Sequence, residues 1–143
     1  MAAKHVMVEI NLSSNDVILG VSGKDHPLPV YRKFGVPVSF STDDEGVSRI
    51  DMTHEYLRAV ESYDLKYLDL KHMVRTGMEH IFLPGPSLWA APDAFNRQVA
   101  ACAQDQPGSG QPSAACARFL KSSERARQQW ELERRFAAFE SAL

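Results

Sequence analysis

Only two segments of this chain read as β-strands, residues 6–11 and 36–42, and each runs into sequence that favours a helix. The first, Val6-Met7-Val8-Glu9-Ile10-Asn11, is largely β-branched and gives way to the polar Ser13-Ser14-Asn15-Asp16, a strand followed by its loop. The second follows Gly35 and ends in Asp43-Asp44-Glu45-Gly46; Pro37 is tolerable there because it lies near the strand start. Two βα units predict a parallel pair, which needs cover on both faces and leaves two open edges. The 143 residues hold no third strand to supply either. The expected class is α/β, a quarter of an eight-stranded TIM-type barrel, that is, an incomplete (β/α)8 barrel keeping two βα units. Residues 1–5 resemble the tail of a helix feeding the first strand, so the reading expects a fragment or a product begun at an internal methionine.

Helices fill the rest. His26-Pro27-Leu28-Pro29 opens one over 30–34, with proline in its first turn and Gly35 after it, while 17–21 stays unassigned. Asp51 or Thr53 caps the next, running to about Tyr63 with Tyr56, Leu57 and Val60 on one side. Asp64 caps its successor, where Leu70, Met73, Val74, Gly77, Met78 and Ile81 recur at offsets of three and four before Pro84-Gly85-Pro86 ends it. After Ser87 the composition shifts to an Ala-rich helix over about 93–103, a Pro/Gly turn, and a charged helix from about 113 to the end. That pair is expected to form an accessory C-terminal helical hairpin, dividing the chain into domains 1–89 and 90–143. On the last helix Phe119, Ala126, Trp130, Leu132, Phe136, Ala137 and Phe139 make the apolar side, and Glu124, Arg125, Arg127, Glu131, Glu133, Arg134 and Arg135 face water.

With 16 Lys and Arg against 18 Asp and Glu, the charge favours neither nucleic acid nor an anionic membrane as partner. No apolar run approaches the roughly 20 residues that a membrane-spanning helix requires. Residues 1–5 lack the apolar centre of a signal peptide, so the chain as written is expected in the cytoplasm. Cys102 and Cys116 flank the Pro/Gly turn, within disulfide reach if antiparallel helices border it; burial as two small apolar groups is the other reading.

The chemistry concentrates at the end of the second strand. Alternation puts Val38 and Phe40 toward helices and Ser39, Ser41 and Asp43 toward a barrel axis. A carboxylate at that strand end can ligate a divalent metal, and Asp44, one residue on, can hydrogen-bond a ligand. Without a further signal, two acids before a glycine are equally a turn or capping device.

Four ordered blocks supply that signal: residues 9–15, His26-Pro27-Leu28-Pro29, Gly35-Val36-Pro37-Val38 with Ser41-Thr42-Asp43-Asp44, and Phe82-Leu83-Pro84. Together they resemble the C-terminal motifs of the adenosine deaminase family across residues 6–89. The resemblance implies a zinc-dependent (β/α)8 hydrolase that converts adenosine or its 2′-deoxy form into inosine and ammonia, the two strands being its seventh and eighth. It implies that Asp43 is the metal-ligating aspartate orienting the attacking water, that Asp44 hydrogen-bonds the purine, and that Glu9 and Asn15 shape the site. The adjacency of Asp44 to Asp43 favours this branch over other amidohydrolase-type barrels. The family's His-x-His pair, its two later histidines and its general-acid glutamate have no counterpart among these residues. His5, His26, His54, His72 and His80 form no His-x-His and read as surface or capping histidines. The expectation is a piece inactive without an upstream half, with an interaction module or pseudoenzyme as the alternative, pairing through open strand edges with that half or with itself. Longer bacterial members, some exported, carry comparable C-terminal segments, which implies a signal sequence in a parent protein.

Overall fold

The β-branched segments form their strands in the computed structural model, which describes all 143 residues. Strand β1, Val8–Ile10, pairs in parallel with β2, Val38–Phe40, in the register Val8 to Val38, Glu9 to Ser39 and Ile10 to Phe40. Both are shorter than the sequence pattern, although pairing continues past them: Val8 N–H donates to the Pro37 carbonyl at 2.8 Å and Ser41 N–H to that of Ile10 at 2.9 Å. Pro37 thus contributes its acceptor where it has no donor to give. The sheet has two strands, and the molecule is mixed α/β but mostly helical. No helix is long and apolar enough to cross a membrane.

The chain divides into two compact units, Met1–Gly77 and Met78–Leu143. In the first, helices α1 (Leu12–Leu19), α2 (Leu28–Lys33), α3 (Glu45–Ser48), α4 (Met52–Tyr63) and most of α5 (Tyr67–Glu79) accompany the sheet. Its core joins Ile10, Leu12, Leu28, Val38, Phe40, Ala59, Leu65 and Met73, with Tyr56 set edge-on to Phe40 at 5.9 Å.

Three expectations change here. The loop expected at 13–16 is the first half of α1. Ser and Asn are indifferent helix formers, but Ser13 N–H, a donor that a helix start leaves without an internal partner, reaches both carboxylate oxygens of Glu55 at 3.2 and 3.3 Å. The same contact rotates α4: fully buried Glu55 and Ala59 face inward with Met52, Tyr56 and Tyr63, leaving Leu57 and Val60 exposed. A buried acid on an apolar face is invisible to a hydropathy stripe. Asp64 ends α4 in a left-handed conformation (φ 51°) rather than starting α5, which stops at Glu79, short of Ile81. Asp51 does cap α4, accepting from His54 N–H at 2.8 Å.

The second unit departs further. The Ala-rich stretch 93–103 makes only a single 3-10 turn at Ala100–Cys102; before it, Trp89 bridges antiparallel to Gln98, with Ala90 N–H donating to Arg97 and Val99 N–H to Leu88, both at 2.9 Å. Helix propensity is a weak prior, and here burial of Leu88, Trp89 and Cys102 prevails. The long charged helix breaks at Ser123 into α6 (Ala114–Ser122) and α7 (Glu124–Glu140). Ser123 is buried; its hydroxyl donates to the Pro86 carbonyl at 2.6 Å and accepts from Ala126 N–H at 3.1 Å. The expected hairpin of an Ala-rich helix over about 93–103 and one long charged helix is thus replaced by a 3-10 turn followed by α6 and α7, which pack on each other. On α7 the buried side is Ala126, Gln129, Trp130 and Glu133; Glu133, read from sequence as a water-facing residue, lies inside, and Phe139 is half exposed. Gln129 serves a polar hub, accepting from Leu88 N–H at 2.8 Å and donating to Glu79 at 2.7 Å.

Cys102 and Cys116 are bonded, their Cα atoms 4.6 Å apart, and both are fully buried beside Trp130 and Leu120. The bridge joins residues 14 apart, and loop closure of that size restrains the unfolded chain by about 3 kcal/mol. Reduction should therefore lower the stability of the second unit by about 2–3 kcal/mol. Denaturant titrations with and without reductant, followed by the fluorescence of Trp89 and Trp130, measure this; an unmoved midpoint would contradict it.

Candidate functional site

Asp43 stands three residues beyond the end of β2, exposed, its backbone in the left-handed region at φ 54°. Its N–H donates to Ser41 Oγ at 3.3 Å, and its Oδ2 accepts from Ser14 Oγ at 2.7 Å. Asp44 is also exposed and occupies the position before the four-residue α3, but its side chain makes no capping bond there. Neither side chain caps α3, but the turn reading stands: Asp43 is left-handed, its carbonyl accepts from Glu45 N–H at 3.0 Å, and Asp44 holds the position before the helix. Val38 and Phe40 face the core as alternation requires; Ser39, expected on a barrel axis, meets α5, where a Cβ on Gly77 would come within 2.5 Å of Ser39 Oγ.

The start of α1 lies under the acids. Ser13, Ser14 and Asn15 each engage a different element. Ser13 binds Glu55 of α4 through its N–H and accepts from Arg58 Nη1 at 3.4 Å, Ser14 binds Asp43, and Asn15 Oδ1 lies 2.9 Å from His26 Nε2. Arg58 also pairs with Asp16, whose carboxyl it holds below the usual range chiefly by hydrogen bonding. Glu9 is exposed on β1. Sequence reasoning gave no role to Glu55, or to Ser14 although it lies in the 9–15 block; only the pairing of β1 with β2 brings Ser14 to Asp43.

His26 takes the capping rather than the surface alternative, at the start of α2. It is buried, its Nδ1 accepts from Leu28 N–H at 3.1 Å, and its Nε2 consequently carries the proton toward Asn15. Burial first, then the positive charge of Arg58, lowers its pKa below the ordinary 6.5. The unfolded chain therefore takes up this proton more readily, so stability is full above about pH 6.5 and declines as pH falls through the lowered folded value. Denaturant midpoints of the chain should drop between pH 7.5 and 5, and His26→Gln should flatten that slope; a slope unchanged by the substitution would refute the assignment.

A zinc site takes three or four N, S or O ligands. No group of three or more His, Cys, Asp or Glu side chains is placed to hold a metal ion. These residues therefore do not fit a zinc ion by themselves, and Asp43 offers at most one ligand. A cavity of about 480 Å³ in the second unit, lined by Ala90, Ala91, Ala94, Asn96 and Arg97, includes none of the expected site residues.

The sequence profile of the family described as adenosine deaminase matches residues 1–91. The chain is 32% identical over 84 residues to an adenosine deaminase of Shewanella loihica, and 31% identical over 84 residues to one of Escherichia coli. In each case the match takes in 58% of this chain and 25% of the relative, so the chain spans about a quarter of the length of the curated relatives it matches. No solved structure gives a significant match.

Proposed function

The chain belongs to the adenosine deaminase family, and from that premise we propose that it supplies the last two βα units of a metal-dependent aminohydrolase barrel that converts adenosine and water into inosine and ammonia. The observation that carries this reading is the exposed Asp43 carboxylate just past β2, inside the matched region and held by Ser14. In the proposed assembly Asp43 is the one carboxylate this chain contributes to a zinc centre whose other ligands lie outside it. Asp44 is the hydrogen-bond partner of the purine, adenosine or 2′-deoxyadenosine. The chain alone is inactive, because one carboxylate does not hold a zinc ion.

A second reading, a non-catalytic interaction module, draws on Val17, Ile18 and Leu19, which are 78%, 66% and 66% exposed in succession on α1, and on the open edges of a two-stranded sheet. A monodisperse folded monomer in solution would count against it.

The test is a deamination assay. Purified chain given zinc and adenosine should leave the ultraviolet absorbance unchanged, and adding the three quarters of the Escherichia coli relative that this chain does not match, as a separate segment, should start turnover. Turnover by the chain alone would overturn its dependence on an upstream half. Silence after the segment is added would overturn the aminohydrolase reading.

A further inference from the structure

We infer that Ser14 is a positioning residue for Asp43: its hydroxyl holds one carboxylate oxygen and leaves the other facing outward to take a ligand. The inference rests on the aminohydrolase reading for its purpose, but on geometry for its content. Ser14 Oγ donates to Asp43 Oδ2 at 2.7 Å across 29 residues of sequence, and Ser14 is only 4% exposed while Asp43 is open to solvent. No hydrogen bond engages Asp43 Oδ1. A carboxylate on an exposed turn otherwise rotates among several orientations; a short bond from a buried hydroxyl selects one.

The hydroxyl itself is well fixed. Ser14 sits between Ser13, whose N–H is taken by fully buried Glu55, and Asn15, which bonds buried His26. Each neighbour thus ties the first turn of α1 to a separate part of the first unit, and Ser14 is the residue of that turn directed at β2. The backbone at Asp43 is restrained too, through its left-handed φ and its bond to Ser41 Oγ. A donor held on this many sides fixes the orientation of the carboxylate that it binds.

The test uses the full chain and needs no turnover. In the wild type, the Ser14 hydroxyl proton should exchange with water about ten- to a hundredfold more slowly than a free serine hydroxyl, the range expected for a hydrogen bond to a charged group. Asp43→Ala, at an exposed position, should abolish that protection. In chain carrying ¹³C-labelled aspartate, Ser14→Ala should shift the Asp43 carboxyl resonance while the amides of β1 and β2 stay in place, and Ser14→Thr should restore it. An unprotected Ser14 hydroxyl in the wild type, or an Asp43 carboxyl resonance indifferent to Ser14→Ala in folded protein, would overturn the proposal. If Ser14→Ala does not fold, hydroxyl exchange in wild type and Asp43→Ala decides the matter. Because neither readout depends on deamination, failure here and failure of the aminohydrolase reading are separate results.

Discussion

Gly108→Ala should destabilise the second unit by about 2–5 kcal/mol. Gly108 has φ +80°, in the left-handed region that costs a residue with a Cβ about 1–2 kcal/mol. Space is a second, independent objection. An added Cβ would overlap the backbone of α7, pressing on Arg134 N and lying 2.6 Å from Arg134 Cα and from the Glu133 carbonyl carbon. Helical backbone cannot swing aside like the tip of a long side chain, and overpacking of this kind costs about 1–3 kcal/mol more. The loop that carries Gly108 also supplies the Ser109 carbonyl, which accepts from Trp130 Nε1 at 3.1 Å, so displacing the loop frees a buried indole donor. Urea unfolding followed by tryptophan fluorescence measures the effect. Gly110→Ala is the control, because nothing lies near its added carbon and its φ is not positive, and it should change stability by less than about 0.5 kcal/mol. Equal effects at the two glycines would contradict the close approach of this loop to α7.

Asp43→Ala should have the largest functional effect. In the assembly proposed above, where the chain and a complementary segment turn over adenosine, the substitution should lower kcat by more than about 100-fold, exceeding the 10- to 100-fold typical of an outer partner such as Ser14. Asp44→Ala should act mainly on KM, since a hydrogen bond made equally to bound substrate and transition state is lost from both. Steady-state kinetics over a range of adenosine concentrations separates the two. If Asp44→Ala removes kcat while Asp43→Ala raises only KM, the two roles are exchanged. Asp44 is exposed, makes no capping bond and lies outside the core, so Asp44→Ala should leave the folded fraction unchanged, whereas Asp43→Ala frees the buried Ser14 hydroxyl and should cost about 1–3 kcal/mol of stability, measured beside the kinetics.

The first unit was legible in outline because its signals are local. β-branched runs gave both strands, Asp51 gave the cap of α4, and the ordered motifs located Asp43 and Asp44 at the end of β2. What the pattern could not supply was partners distant in sequence. Glu55 reads as a surface residue of an amphipathic helix and proves fully buried, because its carboxylate satisfies the N–H of Ser13, 42 positions away. That contact joins the start of α1, where a loop was expected, to the inward face of α4. In the second unit the same blindness concerned Ser123: a serine inside a charged helical run gives no warning that its hydroxyl will bind the Pro86 carbonyl and divide α6 from α7. Alanine content likewise overstated helix between 93 and 103, where burying Leu88 and Trp89 beside the Cys102–Cys116 bridge outweighed propensity.

By itself, then, the sequence determined the α/β class, the two strands, the family and the pair of acids that end β2, since each depends on residue type and short-range order. Tertiary structure alone decided which polar residues are interior, that Cys102 and Cys116 are joined, and that Ser14 holds Asp43. Those outcomes follow from hydrogen bonds and packing between residues far apart in the chain, and a burial cost that one distant partner can cancel leaves no trace in local pattern.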